Sequence, residues 1–232
     1  MATYVDLDGV RTWYEEYGTG RPLVLLHPGG YGAAAFEVNI GPLAEHFHIY
    51  TPERRGHGNT PDVAGRYTFE QGAQDTIAFL ETVVGEPADL MGCSDGAIVG
   101  LLTALRRPDL VARLVFAAGV FHRDGWHDGV LDGAADDDFS LKLQQMHADG
   151  PTVTVQELAG LPNRTLVLLG DDDEVRLEHA VTMYEALPAG ELAVLPGTSH
   201  GLLVEKPALC HQVILDFLTH DPVPTMAPIR RR

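Results

Sequence analysis

A chain of 232 residues with 45% hydrophobic and 21% charged residues carries enough apolar material for a sizeable core and no sign of low complexity. Its 33 acids against 16 Lys and Arg give a formal net charge of −17, which argues against nucleic acid and anionic membrane surfaces as partners. No apolar run approaches a membrane span, residues 1–6 lack a leader pattern, and Cys93 and Cys210 are too few for a disulfide framework. A cytoplasmic setting is expected, and the one basic cluster, Arg230-Arg231-Arg232, stands at the chain's end.

Two strand-like stretches come first, at 4–7 and 11–17, with Asp8-Gly9 as the hairpin turn between them. An apolar strand at 23–26 leads into His27-Pro28-Gly29-Gly30. A helical pattern over 33–46 precedes a strand at 47–51 and then Glu53-Arg54-Arg55-Gly56-His57-Gly58. Thr68 is placed to cap a helix, Gln71 to complete a capping box, and Phe69, Ala73, Ile77, Leu80 and Val84 form one apolar face. A strand at 88–93 and a helix over 95–106 follow. Strands at 114–118, 166–169 and 192–195 and helices over 177–187 and 207–218 complete the alternation. The later strands are continuously apolar, as parallel strands covered on both faces are. The fold class is therefore α/β: a mostly parallel eight-stranded sheet with helices on both faces, in a single domain over 1–232.

Residues 122–164 break this rhythm. The part up to Gly150 holds Asp124, Asp128, Asp132, Asp136, Asp137, Asp138 and Asp149, offset only by Arg123 and Lys142. An insertion this long is a lid or a disordered loop, and the short lid reading implies an open site for modest substrates. His122, Asp124, His127 and Asp128 match no metal-site spacing, so no metal is assigned. Residues 221–232, with Pro222, Pro224 and Pro228, read as a loose tail.

The chemistry gathers at Gly92-Cys93-Ser94-Asp95-Gly96, between an apolar strand and an apolar helix. In that context G-x-S-x-G is a nucleophile elbow: the serine occupies a strained turn, and its neighbours two before and two after must be small. Cys93 falls off the tip and reads as a buried apolar residue. A serine hydroxyl needs a base, and the base an orienting carboxylate. With an elbow the order is serine, acid, histidine, on loops after successive strands. His200, in Pro196-Gly197-Thr198-Ser199-His200-Gly201 after the last strand, meets that order. The acid lies among Asp171, Asp172, Asp173 and Glu174. One oxyanion donor is the backbone amide of Asp95, directly after the serine.

These motifs resemble the α/β-hydrolase family, in its esterase and lipase branch, over nearly the whole chain. The resemblance extends to Ser199-His200-Gly201 and Glu205-Lys206-Pro207. It implies Asp173 as the acid, through Gly170-x-x-Asp173, with Asp171 and Asp172 as fallbacks. It implies Gly29, then Gly30, as second oxyanion donor, although Pro28 stands where the family has glycine. His27 either orients that loop or is a bystander. It makes residues 53–58 a structural turn, with His57 exposed. Ser-Asp-Gly in the elbow is similar to valacyclovir-hydrolase-like enzymes. That likeness gives Asp95 a substrate-binding role toward cationic esters, against the alternative that the acidic run is a solvated face. The implied activity is carboxylic ester hydrolysis of a small molecule without a cofactor. Thioester cleavage, perhydrolysis, carbon–carbon hydrolysis and a ligand-binding receptor are the alternatives.

Overall fold

Eight strands form one sheet in the computed structural model, which describes residues 2–228. They are β1 (Ala2–Leu7), β2 (Val10–Tyr17), β3 (Arg21–Leu26), β4 (Phe47–Tyr50), β5 (Ala88–Cys93), β6 (Val111–Ala117), β7 (Arg164–Gly170) and β8 (Gly190–Leu195). Their order is β1-β2-β4-β3-β5-β6-β7-β8, and β2 alone runs against the rest. The hairpin turn is at Asp8-Gly9, where both residues have positive φ (51° and 82°). Asp8 tolerates this because Asp6 Oδ1 accepts from Gly9 N at 3.0 Å.

Pleating explains the continuous apolar runs. In β3, Leu23 and Leu25 face one layer while Val24 and Leu26 face the other. Leu166 and Leu168 against Val167 and Leu169 repeat the pattern in β7. One layer is covered by α1 (Glu37–Ala44) and α8 (Pro207–Thr219), through Leu43, Ile214 and Phe217. The opposite layer is covered by α2 (Phe69–Phe79), α3 (Asp95–Arg106) and, later in the chain, the helix over Leu177–Ala186, through Phe69, Ile98 and Met183.

Two local readings need correction. Thr68 does cap α2, accepting from Gln71 N at 3.0 Å, but the Gln71 side chain donates to Asp75 at 3.0 Å instead of closing a capping box. His57 is buried rather than exposed, packed at tilted and edge-on angles between His27 and the rings of Tyr67 and Phe139.

Residues 122–164 carry α4 (Asp138–Asp149) and α5 (Val155–Ala159). Asp137 and Ser140 form a reciprocal capping box at the start of α4. Phe139, Leu143 and Met146 give α4 its packed face. After them come α6 (Leu177–Ala186) and the single turn α7 (Leu202–Glu205). Residues 221–228 hold no helix or strand, and the Arg230–232 cluster lies outside the described residues. Among the described residues no helix is long and apolar enough to cross a membrane.

Candidate active site

Ser94 sits between the end of β5 and the first residue of α3 with φ 54° and ψ −120°, a conformation costing of order 1–3 kcal/mol. The surrounding backbone holds it there: Ser94 N donates to Ala117 O at 2.9 Å. The flanking glycines are sterically required. A Cβ on Gly92 would lie 2.2 Å from Gly96 O, and one on Gly96 would lie 1.9 Å from Leu26 O.

His200, on the loop after β8, reaches Ser94: its Nε2 is 3.0 Å from Ser94 Oγ. Its Nδ1 is 2.8 Å from Asp173 Oδ1, on the loop after β7. A carboxylate can only accept, so Nδ1 carries the hydrogen and Nε2 is left to accept from the serine hydroxyl. Asp173 is buried, and it also accepts from Gly170 N at 3.1 Å and Val175 N at 3.2 Å. Asp171 and Asp172 are exposed, and Asp171 accepts from Thr198 N at 3.1 Å. Burial disfavours the imidazolium form of His200, but Asp173, then Glu174 and Asp95, outweigh it and raise the pKa above the usual 6.5. Glu174 Oε2 stands 3.7 Å from Nε2, and the Trp126 ring meets the imidazole edge-on at 5.8 Å.

The loop after β3 lies opposite. His27 is fully buried; its Nδ1–H donates to Pro28 O at 2.8 Å and its Nε2 accepts from Arg54 N at 3.0 Å. Burial, then Arg54 and His57, keeps it neutral. His27 thus orients the loop. Glu53 ties the same region together, accepting from Ala33 N at 3.0 Å and from Asn59 N. Gly29 lines the cavity beside Ser94 and Asp95, whereas Gly30 is exposed, with φ 74°. A Cβ on Gly29 would lie 2.2 Å from Asp95 Oδ2.

A cavity of about 450 Å³ opens over Ser94, walled by Trp126, Leu131, Leu143, Gln144 and His147. None of the aspartates of 122–164 is among its described lining residues. His147, on α4, donates from Nε2 to Asp95 Oδ1 at 2.7 Å, and Arg54 Nη2 lies 3.9 Å from Asp95 Oδ2. Asp95 is almost fully buried, yet these two cations hold its pKa below the usual value against the opposing effect of burial. Sequence reasoning missed His147: no spacing marks it among eleven histidines, and only the packing of α4 brings it to Asp95. Of His122, Asp124, His127 and Asp128, to which no metal is assigned, His122 pairs with Asp124 and Asp128 with Arg176.

The sequence model of the Alpha/beta hydrolase family matches residues 23–213, and the chain belongs to that family. It is a hydrolase by that kinship. It is 28% identical over 202 residues to (E)-2-((N-methylformamido)methylene)succinate hydrolase of Acinetobacter baylyi, covering 84% of this chain and 73% of that protein. It is 24% identical over 257 residues to 2-hydroxymuconate semialdehyde hydrolase of a Pseudomonas species, covering 90% and 91%. A solved meta-cleavage product hydrolase from Pseudomonas fluorescens shares the fold with a TM-score of 0.80 at 20% identity, over 94% of this chain and 97% of that one.

Proposed function

We propose that this hydrolase cleaves carboxylic esters of small molecules through a Ser94–His200–Asp173 triad. The observation that carries the reading is the unbroken relay from Ser94 Oγ to His200 Nε2 (3.0 Å) and from His200 Nδ1 to Asp173 Oδ1 (2.8 Å), on a strained serine.

Ser94 Oγ attacks the ester carbonyl while His200 Nε2 takes its proton. The backbone amides of Asp95 and Gly29, with Gly30 next in line, face the oxyanion. Asp173 fixes the imidazole and stabilises the imidazolium. The carbon–oxygen bond to the alcohol breaks as His200 returns the proton to the leaving oxygen. His200 then deprotonates a water that attacks the acyl-enzyme, and Ser94 is released with the acid product. Residues 122–164 serve as a lid, and no cofactor takes part in these steps. A cationic substrate would compete with His147 and Arg54 for the Asp95 carboxylate. Equal kcat/KM for cationic and neutral esters of one leaving group would remove the substrate-binding role of Asp95.

A second reading, hydrolysis of a carbon–carbon bond next to a carbonyl, draws support from the relative named 2-hydroxymuconate semialdehyde hydrolase. The deciding experiment is hydrolysis of p-nitrophenyl esters, acetate through decanoate, by wild type and Ser94→Ala. Turnover that falls by several orders of magnitude in Ser94→Ala supports the ester reading. A wild type inert toward every chain length moves the carbon–carbon reading ahead.

A further inference from the structure

A second cavity, of about 280 Å³, adjoins His200. Its walls are the loop after β3 (Pro28, Tyr31), the turn before α1 (Ala35, Phe36), the last residue of β5 (Cys93), and α7 (Leu203, Val204). Pro28, Tyr31 and His200 line both cavities, so the two compartments meet at the histidine. Their chemistry differs. The cavity over Ser94 is lined by Asp95, Glu174, Ser140, Gln144 and His147 in addition to its apolar walls. Among its described lining residues, the second offers only the Tyr31 hydroxyl and His200 as polar side chains, apart from Cys93. Burial pushes the Cys93 thiol up to about 12, so it stays neutral and counts as apolar wall.

We propose that this second compartment is the leaving-group subsite, and that it selects esters of apolar alcohols; the assignment rests on the ester reading above. A general acid must stand within hydrogen-bond reach of the oxygen it protonates. The departing alcohol therefore lies against His200 Nε2, while the acyl carbon bonds to Ser94 Oγ beside the amides of Asp95 and Gly29. The alcohol's chain then runs past the imidazole into the compartment whose described lining carries no charged side chain other than His200 itself. The cavity under α4, with both polar and apolar walls, holds the acyl part. At roughly 30 Å³ per water, 280 Å³ displaces about nine waters, room for a six-carbon chain or a benzyl group. Each methylene buried there is worth roughly a fourfold gain in kcat/KM.

Two ester series test the assignment: acetates of methanol through octanol, and methyl esters of acetic through octanoic acid. Wild type should gain kcat/KM along the alcohol series, with kcat levelling at the common deacylation of the acetyl-enzyme. Ala35→Phe, and independently Val204→Trp at the exposed rim, each place a large side chain in the cavity. Each should cut the hexyl-to-methyl ratio of the alcohol series by about tenfold or more and leave the chain-length ratio of the acyl series in place. An unmoved alcohol ratio, or a shift confined to the acyl ratio, overturns the assignment. Benzyl alcohol binding to Ser94→Ala, followed by NMR, separates this failure from failure of the ester reading. If wild type cleaves no ester, the ester reading falls. Binding that Ala35→Phe then weakens still supports an apolar subsite, and absent binding overturns that too.

Discussion

His147 Nε2 lies 2.7 Å from Asp95 Oδ1, joining α4 to the residue that directly follows Ser94. The bond spans 52 residues and fixes two things at once: the position of α4 over the cavity, and the carboxylate beside Gly29. Removing the histidine leaves Asp95 buried with Arg54, at 3.9 Å, as its remaining ion-pair partner among the described residues. His147→Ala should therefore cost about 3 kcal/mol of stability, and His147→Gln, which keeps a donor, less. The pair also has a pH signature. Burial opposes charge on His147, but Asp95 outweighs it and raises the pKa above 6.5. That stabilisation is complete below 6.5 and is lost as pH rises through the folded value. Asp95, depressed below 3.8, contributes above that pH and loses its contribution as pH falls through its folded value. Urea unfolding should show the largest gap between wild type and His147→Gln within the window from 3.8 to 6.5 and a smaller gap at alkaline pH. A gap that does not vary with pH would refute the ion pair.

Four consecutive acids follow β7, and their environments predict unequal roles. Asp173 is buried and accepts from His200, Gly170 N and Val175 N; Asp171 and Asp172 face solvent. Asp173→Asn puts an amide where a carboxylate fixes the tautomer of His200, and kcat should fall by roughly 10⁴-fold. Asp171→Asn weakens only a bond to Thr198 N, and Asp172→Asn removes a solvated charge, so each should stay within about tenfold of wild type. Steady-state kinetics on the three variants decides the assignment, and equal losses would sink it.

The sequence made some of this legible because certain constraints are local. Gly92-x-Ser94-x-Gly96 could be read because the turn's sterics act within five residues. The eight strands could be read because burial on both faces leaves little room for polar residues along β3, β5 and β7. What escaped depends on distant packing. The packed face of α4 has only Phe139, Leu143 and Met146 among its described residues, interleaved with Ser140, Lys142, Gln144 and Gln145 and with the exposed Leu141, so its period was hidden. His57 sits in a motif that reads as a solvent-facing turn, yet Tyr67 and Phe139 cover it. Gln71 had a nearer partner in Asp75 than the α2 terminus.

The elbow glycines yield a sharper comparison inside α3. A Cβ on Gly96 meets Leu26 O at 1.9 Å and His27 O at 2.7 Å, both backbone atoms of the central strand and its loop. Neither can move without breaking the β3–β5 pairing, so Gly96→Ala should lower stability by about 3 kcal/mol or more and abolish activity. A Cβ on Gly100, one turn on, meets Leu114 Cδ1 at 3.1 Å and Leu26 Cδ1 at 3.5 Å, both the ends of side chains. Gly100→Ala gains up to about 1 kcal/mol of helix propensity to offset that contact. Thermal unfolding should separate the two variants widely; similar losses would mean that the close approach of α3 to β3 is misread.

The acid limb of the rate profile belongs to His200, which must be neutral to accept the Ser94 proton. Burial lowers its pKa, but Asp173, Glu174 and Asp95 together raise it above 6.5, so kcat/KM should fall as pH drops through a midpoint on the alkaline side of 6.5. Glu174 is the informative partner. Its carboxylate stands 3.7 Å from Nε2, with about half its side chain in solvent, and it makes no contribution to the relay itself. Glu174→Gln removes a charge that favours the imidazolium, so the acid limb should move to lower pH and the enzyme should retain more activity there. Solvent and salt screen such a charge, so the shift should shrink as ionic strength rises. An acid limb that stays put in Glu174→Gln at low salt would show that Asp173 and Asp95 alone set the base.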